Sequence, residues 1–199
     1  ADYRVRLYPA YHAHRDPMPT ELAEQWQKAP ALLASLGWTV AGSEELEADD
    51  VMFSFARAEE ARGGNALLLT GDRDLYGAVG EHVAVVDLKQ QADGSDIGPE
   101  QVRERYGVDP QLVADFIALR GDPSDGLPGA PGIGAKTAAE LLRTHGSLEE
   151  VLLAAGAAPD AGAAGAVRAA SVMRPRVAAA LRENAELLLS FKQIATLQR

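Results

Sequence analysis

Three acidic groups recur along the chain: Glu47-Ala48-Asp49-Asp50, Asp72-Arg73-Asp74 and Asp122-Pro123-Ser124-Asp125. Carboxylates brought together from all three would repel one another strongly unless divalent cations neutralised them. The pattern therefore predicts a Mg²⁺ or Mn²⁺ site acting on a phosphate ester. The chain has no cysteine, which removes thiolate metal sites, disulfides and cysteine nucleophiles and leaves oxygen ligands. A plainer reading exists for the first group alone, where acids in a first helical turn simply complement the helix dipole, by about 0.3 to 1 kcal/mol each.

The elements that must position these acids follow from hydrophobic periodicity and from glycine and proline punctuation. Thr20 to Leu36 is helix-like but carries Pro30, which predicts one helix ending there and a second beginning. Gly37 closes it, and Trp38-Thr39-Val40 reads as a short strand. Glu47 to Arg62 is the next helix, with Val51, Phe53, Phe55 and Ala58 available to its buried side. The runs Asn65 to Thr70 and His82 to Leu88 read as strands buried on both faces. Strands separated by helices imply a parallel sheet, and ligands bind at the carboxyl ends of such strands, where Asp72 and Asp74 fall.

From residue 96 onward the period is helical. Gly98 to Tyr106, Pro110 to Arg120, Ala135 to His145 and Ser147 to Ala155 are short helices stopped by glycines. Between the second and third lies Gly129-Ala-Pro-Gly132-Ile-Gly134-Ala-Lys136-Thr137-Ala138. Its glycines would let backbone approach a phosphate, the next helix offers free N–H groups, and Lys136 adds a positive charge. An interhelical turn without a ligand is the plainer reading. After Pro175 the residues Val177, Leu181, Leu188, Phe191 and Ile194 predict an amphipathic helix packed on the core.

Composition sets bounds on the rest. The chain has 199 residues, 47% of them hydrophobic, enough for one domain or a domain plus a small appendage. A net charge of −10 is unusual for a nucleic-acid binder, yet the acid is concentrated where metal would reverse its sign. Arg4, Arg6, His12, His14 and Arg15 make the opening stretch locally basic. No apolar run approaches the roughly 20 residues needed to span a bilayer, so a cytoplasmic protein with no membrane role is expected.

Taken in order, Glu47-Ala-Asp49-Asp50, Thr70-Gly-Asp72-Arg-Asp74-Leu75, Gly121-Asp122-Pro-Ser-Asp125-Gly-Leu-Pro128-Gly129 and Gly132-Ile-Gly134-Ala-Lys136-Thr137-Ala138 resemble the 5′ nuclease family. That family includes the 5′-3′ exonuclease domain of bacterial DNA polymerase I and stand-alone flap endonucleases. The resemblance covers roughly residues 3 to 150. It implies an α/β, PIN-like parallel-sheet nuclease domain followed by an all-α helix-three-turn-helix DNA-binding element. It also implies a partial PIN-like nuclease domain over 1–95, with an arch segment near 3–36, and the DNA-binding element over 96–153. Composition and the pattern after Pro175 add an Ala/Gly-rich linker over 154–172 and a C-terminal helix packing on the core over 173–199.

The resemblance further implies that Glu47, Asp49, Asp50, Asp72, Asp74, Asp122 and Asp125 hold two Mg²⁺ or Mn²⁺ ions. These would hydrolyse DNA at 5′ flaps, nicks and ends in replication and repair, activating a water and stabilising the leaving oxygen. Arg4, His12 and Arg15 would act on the scissile phosphate region. Tyr11, Gly132, Gly134, Lys136 and Thr137 would contact DNA, with a K⁺ ion on the carbonyls of the second element. A monomer is expected. His12 stands where the family usually has a lysine, so charge there would depend on pH, and surface-loop histidines are the plainer reading of His12 and His14.

The chain departs from the family at its start. Two central strands and two metal-site aspartates that precede the equivalent of Tyr3 in the family have no counterpart, so the sheet is expected to expose the apolar faces of Ala66–Leu69 and Val83–Val86. A catalytically weak DNA-binding fragment is therefore the competing expectation. A PIN-type endoribonuclease would share the acidic core but lack the Gly129 to Ala138 element.

Overall fold

The computed structural model describes residues 2–87, 96–156 and 173–199. Most of the expected 154–172 linker, and the end of the expected strand at Leu88, lie outside the described residues. No helix among the described residues is long and apolar enough to cross a membrane.

Two strands, β1 (Ala66–Leu69) and β2 (Val83–Val86), pair in parallel with Ala66 opposite Val83 and Leu69 opposite Val86. The connection between them is a 3₁₀ turn, Asp74–Ala78, that buries Leu75, Tyr76 and Ala78. Ile97 bridges antiparallel to Val85 on the far side of β2. The parallel pairing is as expected, but burial on both faces is not. Leu67 and Leu69 are 64% and 58% exposed, because alternate β1 residues point to a face that no described element covers. Exposure of the apolar faces, expected for both strands, holds for β1 alone, since Val83 and Val85 are buried.

The front of the chain is helical: α1 (Asp2–Leu7), α2 (Thr20–Ser35) and α3 (Ala48–Glu60). Pro30 does not break α2. The ring removes one backbone donor, but α2 buries no residue, so the freed carbonyl can turn to water. Trp38-Thr39-Val40 is not a strand. It has no described partner, and Trp38 is 68% exposed. In α3 the buried positions are Asp50 and Ala56. Phe55 and Ala58 face solvent, so the buried stripe is rotated from the one periodicity suggested.

The all-α half follows the expected boundaries closely, with α4 (Pro99–Tyr106), α5 (Val113–Arg120), α6 (Ala135–His145) and α7 (Leu148–Ala154). Helix α4 starts with proline in its first turn and ends at Gly107 in the left-handed region, φ +71°. The Ser147 hydroxyl caps α7 by accepting from Glu150 N–H at 3.2 Å. Helix α5 is the hub, with Val113, Asp115, Phe116, Ile117, Ala118 and Leu119 all buried. The C-terminal pattern forms two helices, α8 (Pro175–Glu183) and α9 (Ala185–Ala195), parted at Asn184. They pack on the core as expected, with Leu181, Leu188 and Phe191 fully buried. Lys192 of α9 joins Asp115 of α5 at 2.8 Å and Glu149 of α7 at 2.7 Å, fixing three helices together.

Candidate metal centre

Asp72 and Asp74 leave the carboxyl end of β1, and Asp122 and Asp125 leave the end of α5. All four line one open cleft of about 520 Å³. The turns carrying them are locally fixed. Asp72 Oδ1 accepts from the Asp74 N–H at 3.1 Å, and Asp122 Oδ1 accepts from the Ser124 N–H at 2.8 Å. The Asp122 and Leu127 backbones bridge each other, both N–H···O bonds at 2.8 Å.

That bridge is held shut by two glycines in the left-handed region, Gly121 at φ +86° and Gly129 at φ +67°. A Cβ on Gly129 would lie 2.3 Å from the Gly121 nitrogen, whereas one on Gly132 (φ +77°) would meet nothing within 4 Å. Gly129→Ala is accordingly expected to lose about 2 kcal/mol or more of stability in urea titration. Gly132→Ala should lose only the backbone term of about 1 kcal/mol. Equal losses would show that the close approach of the two chain segments carries no strain.

The acids act on one another. Partial burial, with Asp72, Asp125, Asp122 and Asp49 around it, pushes the Asp74 carboxyl up to about 8. Such an excess of negative charge, on oxygen donors alone, fits a hard divalent cation. Among the described residues, however, no three His, Asp or Glu side chains are gathered closely enough to hold one. The donor chemistry fits, while a closed coordination group is not preformed.

The first acidic group is built differently. Arg4 of α1 is 2% exposed and sits behind it, with Nη1 2.9 Å from Glu47 and Nη2 3.3 Å from Asp49 and 2.9 Å from Asp50. Its Nε donates to the Ile194 carbonyl at 3.0 Å. Burial alone would lower the guanidinium pKa, but Asp49, Glu47 and Asp50 outweigh it and hold it up. Burial raises the Asp49 carboxyl despite Arg4. Asp50 is wholly buried and also accepts from the Gln198 N–H at 2.8 Å.

Three residues expected at the site are tied up within the fold. The Arg4 guanidinium is shared among Glu47, Asp49 and Asp50. Asp50 Oδ1 meets Arg4 and the Gln198 N–H. Tyr11 is 6% exposed, its hydroxyl donating to Glu47 Oε2 at 3.0 Å.

His12 and Arg15 do reach the acids. His12 stacks on the Tyr11 ring at 3.8 Å, and its Nε2 is 2.9 Å from Asp125 Oδ1. Its backbone holds φ +56°, uncommon for a residue with a side chain, and its N–H donates to the Asp125 carbonyl at 3.2 Å. Arg15 Nη2 meets the same Asp125 oxygen at 3.0 Å, while His14 is exposed. The loop from Tyr8 to Arg15 thus ties the first acidic group to the third.

At the start of α6, Gly132 and Gly134 have open space where side chains would be. Ile133 is buried and anchors the turn. Gly134 precedes the first residue of α6, and Lys136 is exposed beside it, with Thr137 half-buried.

The cleft also contains residues that sequence reasoning missed: Asp87, Tyr106, Arg73 and Arg120. Asp87 could have been found, since it follows β2 as Asp72 follows β1. It is 6% exposed and accepts from Tyr76 Oη at 3.2 Å. Arg120 lies one turn after Phe116 on α5, a spacing that the expected helix already contained, but Tyr106 comes from α4 and no local signal marks it.

Comparison with known proteins accords with this geometry. Residues 1–107 match the family model for the 5′-3′ exonuclease N-terminal resolvase-like domain, and residues 108–199 that for the 5′-3′ exonuclease C-terminal SAM fold. DNA polymerase I of Mycobacterium tuberculosis is 41% identical over 151 residues, covering 75% of this chain and 17% of that protein. The thermostable DNA polymerase I of Thermus thermophilus is 43% identical over 150 residues, 75% of this chain and 18% of that protein. A 5′-3′ exonuclease of Mycobacterium tuberculosis is 39% identical over 173 residues, 77% of this chain and 54% of that protein. The chain therefore spans about a sixth of the polymerases and about half of the exonuclease.

In fold, the chain is similar to T5 5′-exonuclease with bound zinc (TM-score 0.76, 17% identity, 98% of this chain and 70% of that one). It is equally similar to the bacteriophage T5 flap endonuclease in a pseudo-enzyme-product complex with DNA and metal ions (TM-score 0.76, 18% identity, the same coverage). The chain belongs to the 5′-3′ exonuclease family.

Proposed function

We propose that this chain carries the acidic and DNA-gripping parts of a metal-dependent 5′ nuclease that hydrolyses DNA phosphodiester bonds at 5′ flaps, nicks and ends, in replication and repair. The observation that carries the reading is the cleft in which Asp72, Asp74, Asp122 and Asp125 come together, with Asp74 raised to about 8 by burial and its acidic neighbours. These four would hold Mg²⁺ or Mn²⁺, with Glu47 and Asp49 at the border. Bound there, two cations would supply an activated water and stabilisation of the leaving oxygen. Asp50 and Arg4 serve as the support beneath the first acidic group. Arg15 places positive charge on Asp125 at the mouth of the cleft, His12 contacts the same carboxylate, and Tyr11 holds Glu47 and His12 in place. The Gly132 and Gly134 backbone, Lys136 and Thr137 would grip duplex phosphates across the 96–153 element, with a K⁺ ion at the same turn.

A second reading, a chain that binds DNA but cuts weakly, is favoured by the absence of any preformed group of three ligands among the described residues. Cleavage of an end-labelled 5′-flap duplex separates the two. The nuclease reading expects Mn²⁺-dependent cutting that stops with a chelator and falls by a factor of about 10² to 10³ in Asp122→Asn, as the loss of several kcal/mol of transition-state stabilisation requires. Cutting that survives the chelator would sink the metal reading. Salt-sensitive DNA binding with no cutting in either Mg²⁺ or Mn²⁺ would establish the second.

A further inference from the structure

An acid-lined cleft repels a phosphodiester as strongly as it attracts cations, so a substrate phosphate needs fixed positive charge beside the metal. Three arginines, Arg15, Arg73 and Arg120, line the same cleft as the four acids. Arg15 is 53% exposed and paired with Asp125. Arg120 is the one built into the wall. Its guanidinium carbon lies 5.1 Å from the Phe116 ring centre and 5.7 Å from that of Tyr106, and its Nε donates to the Gly121 carbonyl at 2.9 Å. Its Nη2 reaches Asp122 Oδ2 at 3.4 Å, a long and therefore weak contact.

We propose that Arg120 is a phosphate-anchoring residue of this cleft, resting against Asp122 until a DNA phosphodiester takes its outer nitrogens. The role rests on the nuclease reading and deepens it. The planar fork suits two phosphate oxygens, which a lysine cannot match. The aromatic shelf and the Gly121 carbonyl already hold the side chain, so little rotamer freedom is lost on binding. The Ser124 N–H holds Asp122 by Oδ1 at 2.8 Å, whereas Arg120 reaches the other oxygen, Oδ2, so the Ser124 contact does not depend on the arginine.

The test measures binding of a short 5′-flap DNA by fluorescence anisotropy over roughly 50 to 200 mM salt, with Ca²⁺ present, together with Mn²⁺ binding in the absence of DNA. Arg120→Gln is expected to bind DNA about tenfold more weakly, with the slope of log affinity against log salt reduced by about one. Its Mn²⁺ affinity should be undiminished. Arg120→Lys should recover the slope but only part of the affinity, which a purely structural role would not produce; circular dichroism confirms that each variant is folded. Unchanged DNA affinity and slope in Arg120→Gln overturn the proposal. A loss of Mn²⁺ affinity large enough to account for the DNA effect overturns it too, by making Arg120 a support for Asp122. If the wild-type chain itself neither binds nor cuts DNA, the nuclease reading falls first; if it does both and the variant matches it, this proposal alone falls.

Discussion

Asp74→Asn is expected to stabilise the metal-free chain at pH 8, leave it unchanged at pH 4, and abolish metal-dependent cutting. The folded carboxyl titrates near 8, raised from an ordinary 3.8 by burial and then by Asp72, Asp125, Asp122 and Asp49. Between those two values the folded chain keeps a proton that the unfolded chain has released. Stability therefore falls as pH rises through this window, and the penalty is complete only above the folded value. The full linkage would exceed 5 kcal/mol at about 1.4 kcal/mol per unit, but Asp74 keeps contact with solvent, and screening reduces the figure to roughly 2 to 3 kcal/mol. For a chain of this size that is about 5 to 10 °C in Tm. Thermal unfolding in chelator at pH 4, 6 and 8 measures it. A gain of equal size at all three would point to packing rather than charge. Adding Mn²⁺ should raise the wild-type Tm more than that of the variant, since a ligand of the folded state stabilises in proportion to its affinity.

Arg4→Met should produce the largest loss of stability. It leaves Asp50, wholly buried, without its cation and removes the link from α1 to the Ile194 carbonyl of α9. Stripping one partner from a buried ion pair costs about 3 to 5 kcal/mol. Urea unfolding reads this directly, and Arg4→Met combined with Asp50→Asn should recover part of it by removing the stranded charge. A variant that remained as stable as wild type yet lost cutting would return Arg4 to the phosphate role that the family resemblance implies.

Much of this molecule was legible from residue order because its signals are local. The α6 boundaries follow from Gly134 and Gly146, the parallel pair from two short apolar runs around a connecting turn, and the acidic cleft from carboxylates at element ends. Local signals failed where a distant segment decides the outcome. Pro30 reads as a break because its ring removes a helix donor and crowds the carbonyl a turn earlier, yet α2 is exposed throughout and that carbonyl can turn to water. Leu67 and Leu69 read as buried because an apolar run cannot report whether a second layer arrives. Residue order does not show that Arg4 and Tyr11 meet the acids at the start of α3, because those partners lie about 36 to 46 residues away. Arg120 was half legible at most, since Phe116 lies one turn before it on its own helix while Tyr106 arrives from α4.

Helix α2 buries none of its 16 residues. Leu22, Trp26 and Leu33 recur along it at helical spacing, and each is at least 42% exposed. A helix of that length carrying a proline is marginal in water by itself, whereas α5 can open only when the whole core does. The chain thus holds two regions of very different opening free energy within one cooperative fold.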